Sequence, residues 1–374
     1  MARIYLDARN ITAQPAGVAR YARCLIPELV RLAPEHEFVT IRHDSNREPI
    51  EVEGSLKEVF VSQSIDDLSN FLVGHRTLRD VFKEHGPADI YHDLFHILPR
   101  SIHKVIGGGK IVITLHDFVW LDHADASQPT WLKARTIETF ARAAIPHALQ
   151  ASDFVISISE PTTRRASKWL KDGAHDTIYH GVHESFFEPV EPPRVLDIPE
   201  GCPYVVAIGN AKPYKNLQRL VEAFDRLLPD HPEARLVLIG NCADLDVPEN
   251  VILAGFLDDE ELRRVLGLAN AFVFPSLVEG FGLPILEAMA MGIPTLVSDL
   301  EPMRTIAGDG ALLFDPLDPT DIARQLSRIL EDDELHARYA ELGLKRAKGF
   351  RWPETARKTL AVYDQISPSP SRVY

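Results

Sequence analysis

Short apolar runs alternate along the chain with segments whose apolar residues recur at helical spacing. In the first half, residues 4–7, 38–41, 59–61, 89–92, 111–115 and 154–158 read as strands. Between them, residues 68–82, 131–149 and 160–170 read as helices. A further helix opens at Gly17, with Val18, Tyr21, Leu25, Ile26 and Leu29 on one face. Strands recur at 204–208, 236–239, 251–253, 271–274 and 295–297, and helices at about 217–228 and 259–268. From Pro319 to about Ile366 the pattern is helical, with a break near Trp352-Pro353. This strand–helix repetition predicts an α/β protein with doubly wound parallel sheets. Pro189, Pro192, Pro193, Pro199 and Pro203 make 188–203 a linker, since so dense a run of proline interrupts regular structure. The expected division is 1–188, a linker at 189–203, a second domain at 204–352, a last helix at 353–366 and a loose tail at 367–374.

Residues 275–298 bind the pattern to chemistry. Gly280 and Gly282 predict a tight turn after a buried strand, and Pro284 suits the first turn of a helix, where its missing N–H costs nothing. Gly292 and Pro294 then end that helix. It is apolar almost all round, which predicts burial, yet it carries Glu287. A buried carboxylate requires donors. Taken alone, Glu287 reads as a structural salt bridge. Glu279, however, lies just before the same turn, beside unpaired helix N–H groups that suit an anion. Together the two glutamates outline a site for a ligand bearing hydroxyls and phosphates. Lys212 and Lys215 sit in the loop 210–216 before another helix, and suit a diphosphate or else are solvated loop charge. His116-Asp117 ends a buried strand, the end at which ligands bind in open parallel sheets.

Composition narrows the classes. At about 150 residues per domain, 374 residues predict two to three domains. The hydrophobic fraction of 45% and charged fraction of 25% are those of an ordinary globular protein. A net charge of −14 argues against broad nucleic-acid binding, though a local basic pocket for one diphosphate is compatible with it. Cys24, Cys202 and Cys242 follow no metal-ligand spacing and read as thiols of a reducing compartment. The first strand begins at once, with no signal segment, and no apolar run approaches the roughly 20 residues of a membrane span. A cytoplasmic protein is expected, with peripheral membrane contact left open. Gly107-Gly108-Gly109-Lys110 lacks the phosphate-loop spacing and precedes a strand, so it reads as a turn. Asp244-Leu245-Asp246 reads as a solvated turn. His92 and His96 offer metal ligands with no third partner at a known spacing, so 92–96 reads as an acceptor-side loop. No Gly-x-Gly-x-x-Gly follows the first strand of either half, which disfavours a nicotinamide dehydrogenase.

Glu279, seven residues and Glu287, with the surrounding glycines and prolines, resemble the signature of the retaining glycosyltransferases of family 4. Asp7 with residues 16–21 resembles that family's first loop and helix, residues 115–117 its histidine segment, and residues 180–182 its segment before the linker. The resemblance implies the GT-B fold, two Rossmann-like domains facing a central cleft, with the last helix crossing back to the first domain. It implies a nucleotide-diphosphate sugar as donor and no metal, cofactor or covalent nucleophile. Glu279, His116 and Lys215 would then be catalytic. Gly17, Asn210, Lys212, Gly280, Phe281, Gly282, Leu283 and Glu287 would complete the donor site, with Glu287 on the ribose. Asp117, Tyr21 and His92 would lie on the acceptor side. Where relatives often carry arginine, position 210 is asparagine, and Lys212 is the plausible substitute. The loop 212–217 and the start at 17–21 resemble mannosyl- and rhamnosyl-type members, which points to guanosine diphosphate mannose and a polysaccharide or lipid-linked acceptor. A nucleotide-sugar epimerase or phosphorylase on the same fold, or a non-catalytic nucleotide-sugar-binding protein, are the alternatives.

Overall fold

Near-continuous apolar strands suit parallel sheets, which are covered on both faces. The computed structural model of the chain describes residues 1–11, 17–66, 68–128, 130–193, 196, 198 and 201–367. Ala16, Pro199 and the tail from 368 lie outside the described residues. In chain order the first half holds β1 (Arg3–Asp7), α1 (Gly17–Leu32), β2 (Glu37–His43), β3 (Leu56–Val61), α2 (Leu68–His85), β4 (Ile90–Asp93) and β5 (Lys110–Leu115). It continues with α3 (Val119–Asp122), α4 (Ala124–Ser127), α5 (Trp131–Ala151), β6 (Phe154–Ser157), α6 (Glu160–Ala166) and β7 (His175–Thr177). The second half holds β8 (Tyr204–Ile208), α7 (Leu217–Leu227), β9 (Arg235–Ile239), β10 (Val251–Gly255), α8 (Asp259–Gly267), β11 (Ala271–Phe274) and α9 (Leu283–Ala290). It ends with β12 (Thr295–Ser298), α10 (Met303–Ala307), β13 (Ala311–Phe314), α11 (Pro319–Glu331), α12 (Asp333–Ala347) and α13 (Trp352–Ile366).

Two units result. One contains residues 1–121, 136–181 and the chain from Arg351; the other contains 122–135 and 182–350. The first unit carries a seven-stranded sheet in the order β3-β2-β1-β4-β5-β6-β7, and every pair in it is parallel. Alternate side chains feed its two faces. Ile4, Leu6 and Val112 pack with Leu25, Ile26 and Leu29 of α1 and with Val362 and Tyr363 of α13. Tyr5, Ile111 and Ile113 pack on the other side with Phe71 and Leu78 of α2 and Ile145 and Leu149 of α5. Leu25, Ile26 and Leu29 are the positions whose spacing predicted the buried stripe of α1.

The second unit carries a six-stranded parallel sheet in the order β10-β9-β8-β11-β12-β13. The expected strands and the helix between Pro284 and Gly292 are present; the helical tail resolves into α11, α12 and α13. The edge strand β13 was not anticipated. It is a four-residue apolar run, Ala311 to Phe314, between Gly310 and Asp315-Pro316. Among the described residues no helix is long and apolar enough to cross a membrane.

Candidate functional site

In each sheet the strand order reverses once, between β1 and β4 and between β8 and β11. The crevice outside the carboxyl ends of such a pair is where open α/β sheets bind ligands. In the second unit the two loops leaving this point, after β8 and after β11, carry most of the predicted residues.

The loop after β8 runs against Gly240, the residue after β9, and needs glycine there. A Cβ on Gly240, whose φ is +113°, would lie 2.0 Å from the Gly209 carbonyl oxygen. Residues 213–215 form one 3-10 turn. Asn216 then takes a left-handed conformation, φ 59°, and is buried. Asparagine is among the few residues that tolerate this region. Its side-chain amide donates to the Pro275 carbonyl at 3.0 Å and the Pro316 carbonyl at 2.8 Å. One side chain thus ties together the loops after β8, β11 and β13. The Leu277 amide also donates to the Tyr214 carbonyl, at 2.8 Å.

This stitching brings Lys215 to Glu279: Nζ lies 2.6 Å from Oε1, with both side chains largely covered, at 17% and 14% exposed. The Lys215 ammonium also lies 5.4 Å from the Tyr214 ring centre and 5.6 Å from that of Phe274. Gly282, φ 97°, precedes the first residue of α9, and Pro284 stands in the first turn as predicted. That φ favours glycine, and a Cβ there would also meet Ile285 Cδ1 at 2.8 Å. Gly280, Phe281 and Leu283 are buried around the turn. Glu287 is 3% exposed within α9. Asn210 receives the Lys212 amide on its side-chain oxygen at 3.1 Å. Lys212 is an exposed residue whose ammonium has no hydrogen-bond or ion-pair partner among the described residues. Partial desolvation, then the Lys215 charge, lowers its pKa. A cavity of about 730 Å³ adjoins this loop, walled in part by Tyr214, Val278, Phe314 and Asp315. It borders the neighbours of Lys215 and Glu279, not the pair itself.

In the first unit, Asp7 and Asp93 end the adjacent strands β1 and β4 in register. Arg9, fully buried, forks onto Asp7 at 2.8 Å and 2.6 Å and also donates to Asn70. Tyr91 donates its hydroxyl to Asp7. Asp93 accepts from the Phe95 amide on one oxygen, and its other oxygen is buried without a partner among the described residues. Burial and the nearby Asp7 charge raise its pKa well above the carboxylate range. The sequence reading missed this cluster; the Asp7-Ala8-Arg9 spacing at a strand end was its only signal.

His116 directly follows β5 and is 3% exposed. Its Nε2 lies 2.9 Å from the Leu94 carbonyl, so Nε2 carries the hydrogen. Burial, then neighbouring His96, pulls its pKa down to about 4. Asp117 caps the next turn by accepting the Val119 amide at 2.8 Å. Gly17, exposed, is the first residue of α1. Two expectations require correction. Tyr21 and His92 do not present an acceptor surface, because both are core residues: 1% and 0% exposed. Thr114 Oγ1 bridges the Tyr21 hydroxyl at 3.0 Å and His92 Nε2 at 2.8 Å, and His92 Nδ1 meets the Tyr363 hydroxyl at 2.6 Å. Both ring nitrogens of His92 are spent on α13 and β5.

The two sheets give the chain the GT-B fold, that of two Rossmann-like α/β domains. Residues 191–346, in its second half, match the family described as glycosyl transferases group 1. The O-antigen chain mannosyltransferase B of Escherichia coli is 34% identical over 173 residues, 43% of this chain and 45% of that protein. The MMP alpha-(1->4)-mannosyltransferase of Mycolicibacterium hassiacum is 32% identical over 204 residues, 50% of this chain and 47% of that protein. The chain thus spans about half the length of these curated relatives. Sucrose-phosphate synthase from Thermosynechococcus elongatus superposes with a TM-score of 0.77 at 20% identity, covering 98% of this chain and 99% of that chain. Anabaena HepE in complex with UDP-glucose does so with a TM-score of 0.70 at 14% identity, covering 98% of this chain and 100% of that chain.

Proposed function

We propose that the protein is a retaining, metal-independent glycosyltransferase. It moves a hexose, in our reading mannose, from a nucleotide-diphosphate sugar to a polysaccharide or lipid-linked acceptor in the cytoplasm, at the inner face of the membrane. The observation that carries this reading is the Lys215–Glu279 pair at the β8/β11 switch point, beside the start of α9. Breaking the sugar–phosphate bond leaves negative charge on the departing diphosphate. Lys215, with Lys212 and the first-turn amides of α9, stabilises it. Glu279 accepts from the hydroxyls of the transferred sugar and faces the cationic character that develops on its ring. Glu287 accepts from the ribose hydroxyls, since one carboxylate has room for two donors. In this reading residues 204–352 hold the donor, and 1–188 contribute Gly17 to the phosphate and His116 and Asp117 to the sugar and acceptor. His116, neutral and donating from Nε2 to Leu94, offers Nδ1 as an acceptor. Mannose follows the mannosyltransferase relatives, and a nucleotide-sugar donor is the ligand class bound by Anabaena HepE.

The test is transfer from guanosine diphosphate mannose, in parallel with uridine diphosphate glucose, to a membrane-lipid and oligosaccharide acceptor panel. The product anomer is read by NMR, with and without EDTA. Expected are transfer with retention, unchanged by EDTA, and loss of at least about a hundredfold in Glu279→Ala and Lys215→Ala. Near wild-type turnover in both variants would sink the assignment. Clean epimerisation of donor without acceptor would show an epimerase instead.

A further inference from the structure

Lys215 and Glu279 are assigned to different parts of one ligand, phosphate and sugar, yet without a ligand they neutralise each other. Their separation is 2.6 Å, and little of either side chain reaches solvent. The rings of Tyr214 and Phe274 also lie near the ammonium, their centres 5.4 Å and 5.6 Å away. Neither residue can engage a ligand fully while the pair is closed. From this geometry we propose that the ion pair is a competing internal ligand: a diphosphate must displace Glu279 from Lys215, and the pair recloses to expel the nucleoside diphosphate after transfer. This rests on the donor-site reading above.

The argument is one of differential compensation. A largely covered carboxylate deprived of its cation needs other donors. An intact nucleotide-sugar supplies them, because its sugar hydroxyls donate to Glu279 while its phosphates take Lys215. The product diphosphate supplies only the second half. It opens the pair and leaves Glu279 beside added negative charge with nothing donating to it. The closed pair therefore penalises product more than donor, which favours release after each turnover. A Glu279 that merely contacts sugar makes no such distinction, because removing it would leave binding of a sugar-free diphosphate unchanged.

The sign of the effect supplies the test. Isothermal titration with guanosine diphosphate, uridine diphosphate and inorganic pyrophosphate, without divalent metal, is run on the wild type, Glu279→Gln, Lys215→Met and the double variant. Melting curves check that each is folded. Glutamine keeps the shape of glutamate and removes its charge. The expected result is that Glu279→Gln binds the diphosphate about three- to tenfold more tightly than wild type, as removal of a coupled neighbour allows. Lys215→Met weakens binding, and in the double variant the gain disappears. Equal or weaker diphosphate binding by folded Glu279→Gln, with measurable wild-type binding, overturns the competing pair and leaves the proposed function standing. Absence of binding for all three probes in folded wild type and folded Glu279→Gln overturns the donor site itself.

Discussion

Asn216 shows how one residue can hold a site without touching its chemistry. Its backbone occupies the left-handed region, and its buried amide closes bonds to Pro275 and Pro316. Alanine there loses both bonds, leaves two carbonyls without their donor, and keeps the strained φ. A loss of about 2–4 kcal/mol is expected in urea unfolding. Glycine relieves the backbone but restores neither bond, so Asn216→Gly should recover only about 1 kcal/mol of that loss. If glycine recovered all of it, the side-chain bonds would contribute nothing. Lys215 is the next residue back, so both variants should also weaken diphosphate binding even where they remain folded. The sequence showed the lysines of this loop but not the role of Asn216, because its partners lie about sixty and one hundred positions away.

At the scale of elements, α13 is tied to the first sheet by hydrogen bonds as well as apolar packing. Tyr363 meets His92 of β4, and Thr355 donates to the Tyr179 carbonyl at 2.8 Å. Tyr363→Phe removes one hydroxyl at nearly constant volume and leaves a buried imidazole nitrogen unpaired. It should cost about 1–3 kcal/mol, read as a lowered melting temperature. An unchanged melting temperature would mean that the Tyr363–His92 bond contributes nothing to seating the helix. The elements themselves were largely legible. Gly282, Pro284 and Gly292 mark the start and end of α9 because each meets a backbone demand that other residues meet poorly. The period of α1 predicted its buried face for a similar reason, since packing on a sheet selects one stripe. What the chain could not show was which polar residues at strand ends turn inward. His92 and Tyr21 stand where a ligand site was expected, yet tertiary pairing through Thr114 commits them to the core. The clustering of Asp7, Arg9 and Asp93 escaped notice because one strand brings only Asp7, and β4 returns more than eighty residues later. β13, four residues long at a sheet edge, offered too short a pattern to separate from a turn.

For the whole molecule, burial of histidine couples stability to pH. His92 and His96 are each held down to about 3 by burial, with His116 adding to the shift at His92. His116 lies at about 4, and His180 is lowered well below its ordinary value, burial being the largest cause in both. Unfolded, each titrates near 6.5. The folded state therefore holds fewer protons than the unfolded state between those limits, and stability rises with pH across that window. Equivalently, the stabilisation from keeping these rings neutral is complete above about pH 6.5 and is lost as acid approaches pH 4. Asp93 acts with the opposite sign, because its raised pKa makes the folded state hold a proton that the unfolded chain releases above about 4. One carboxyl opposes these four imidazoles, and burial lowers His75 and His147 in the same direction, so the histidines decide the slope. The melting temperature of the full chain should fall between pH 7 and pH 5, before ordinary carboxylates begin to protonate. Substituting His96 with asparagine should flatten that fall, because one of the four groups no longer titrates. A melting temperature constant or rising from pH 7 to pH 5 would mean that these rings reach solvent and take up protons in the folded state. The same measurement bears on catalysis, since a His116 that charged near neutrality would present a cation where the proposed mechanism uses a neutral acceptor.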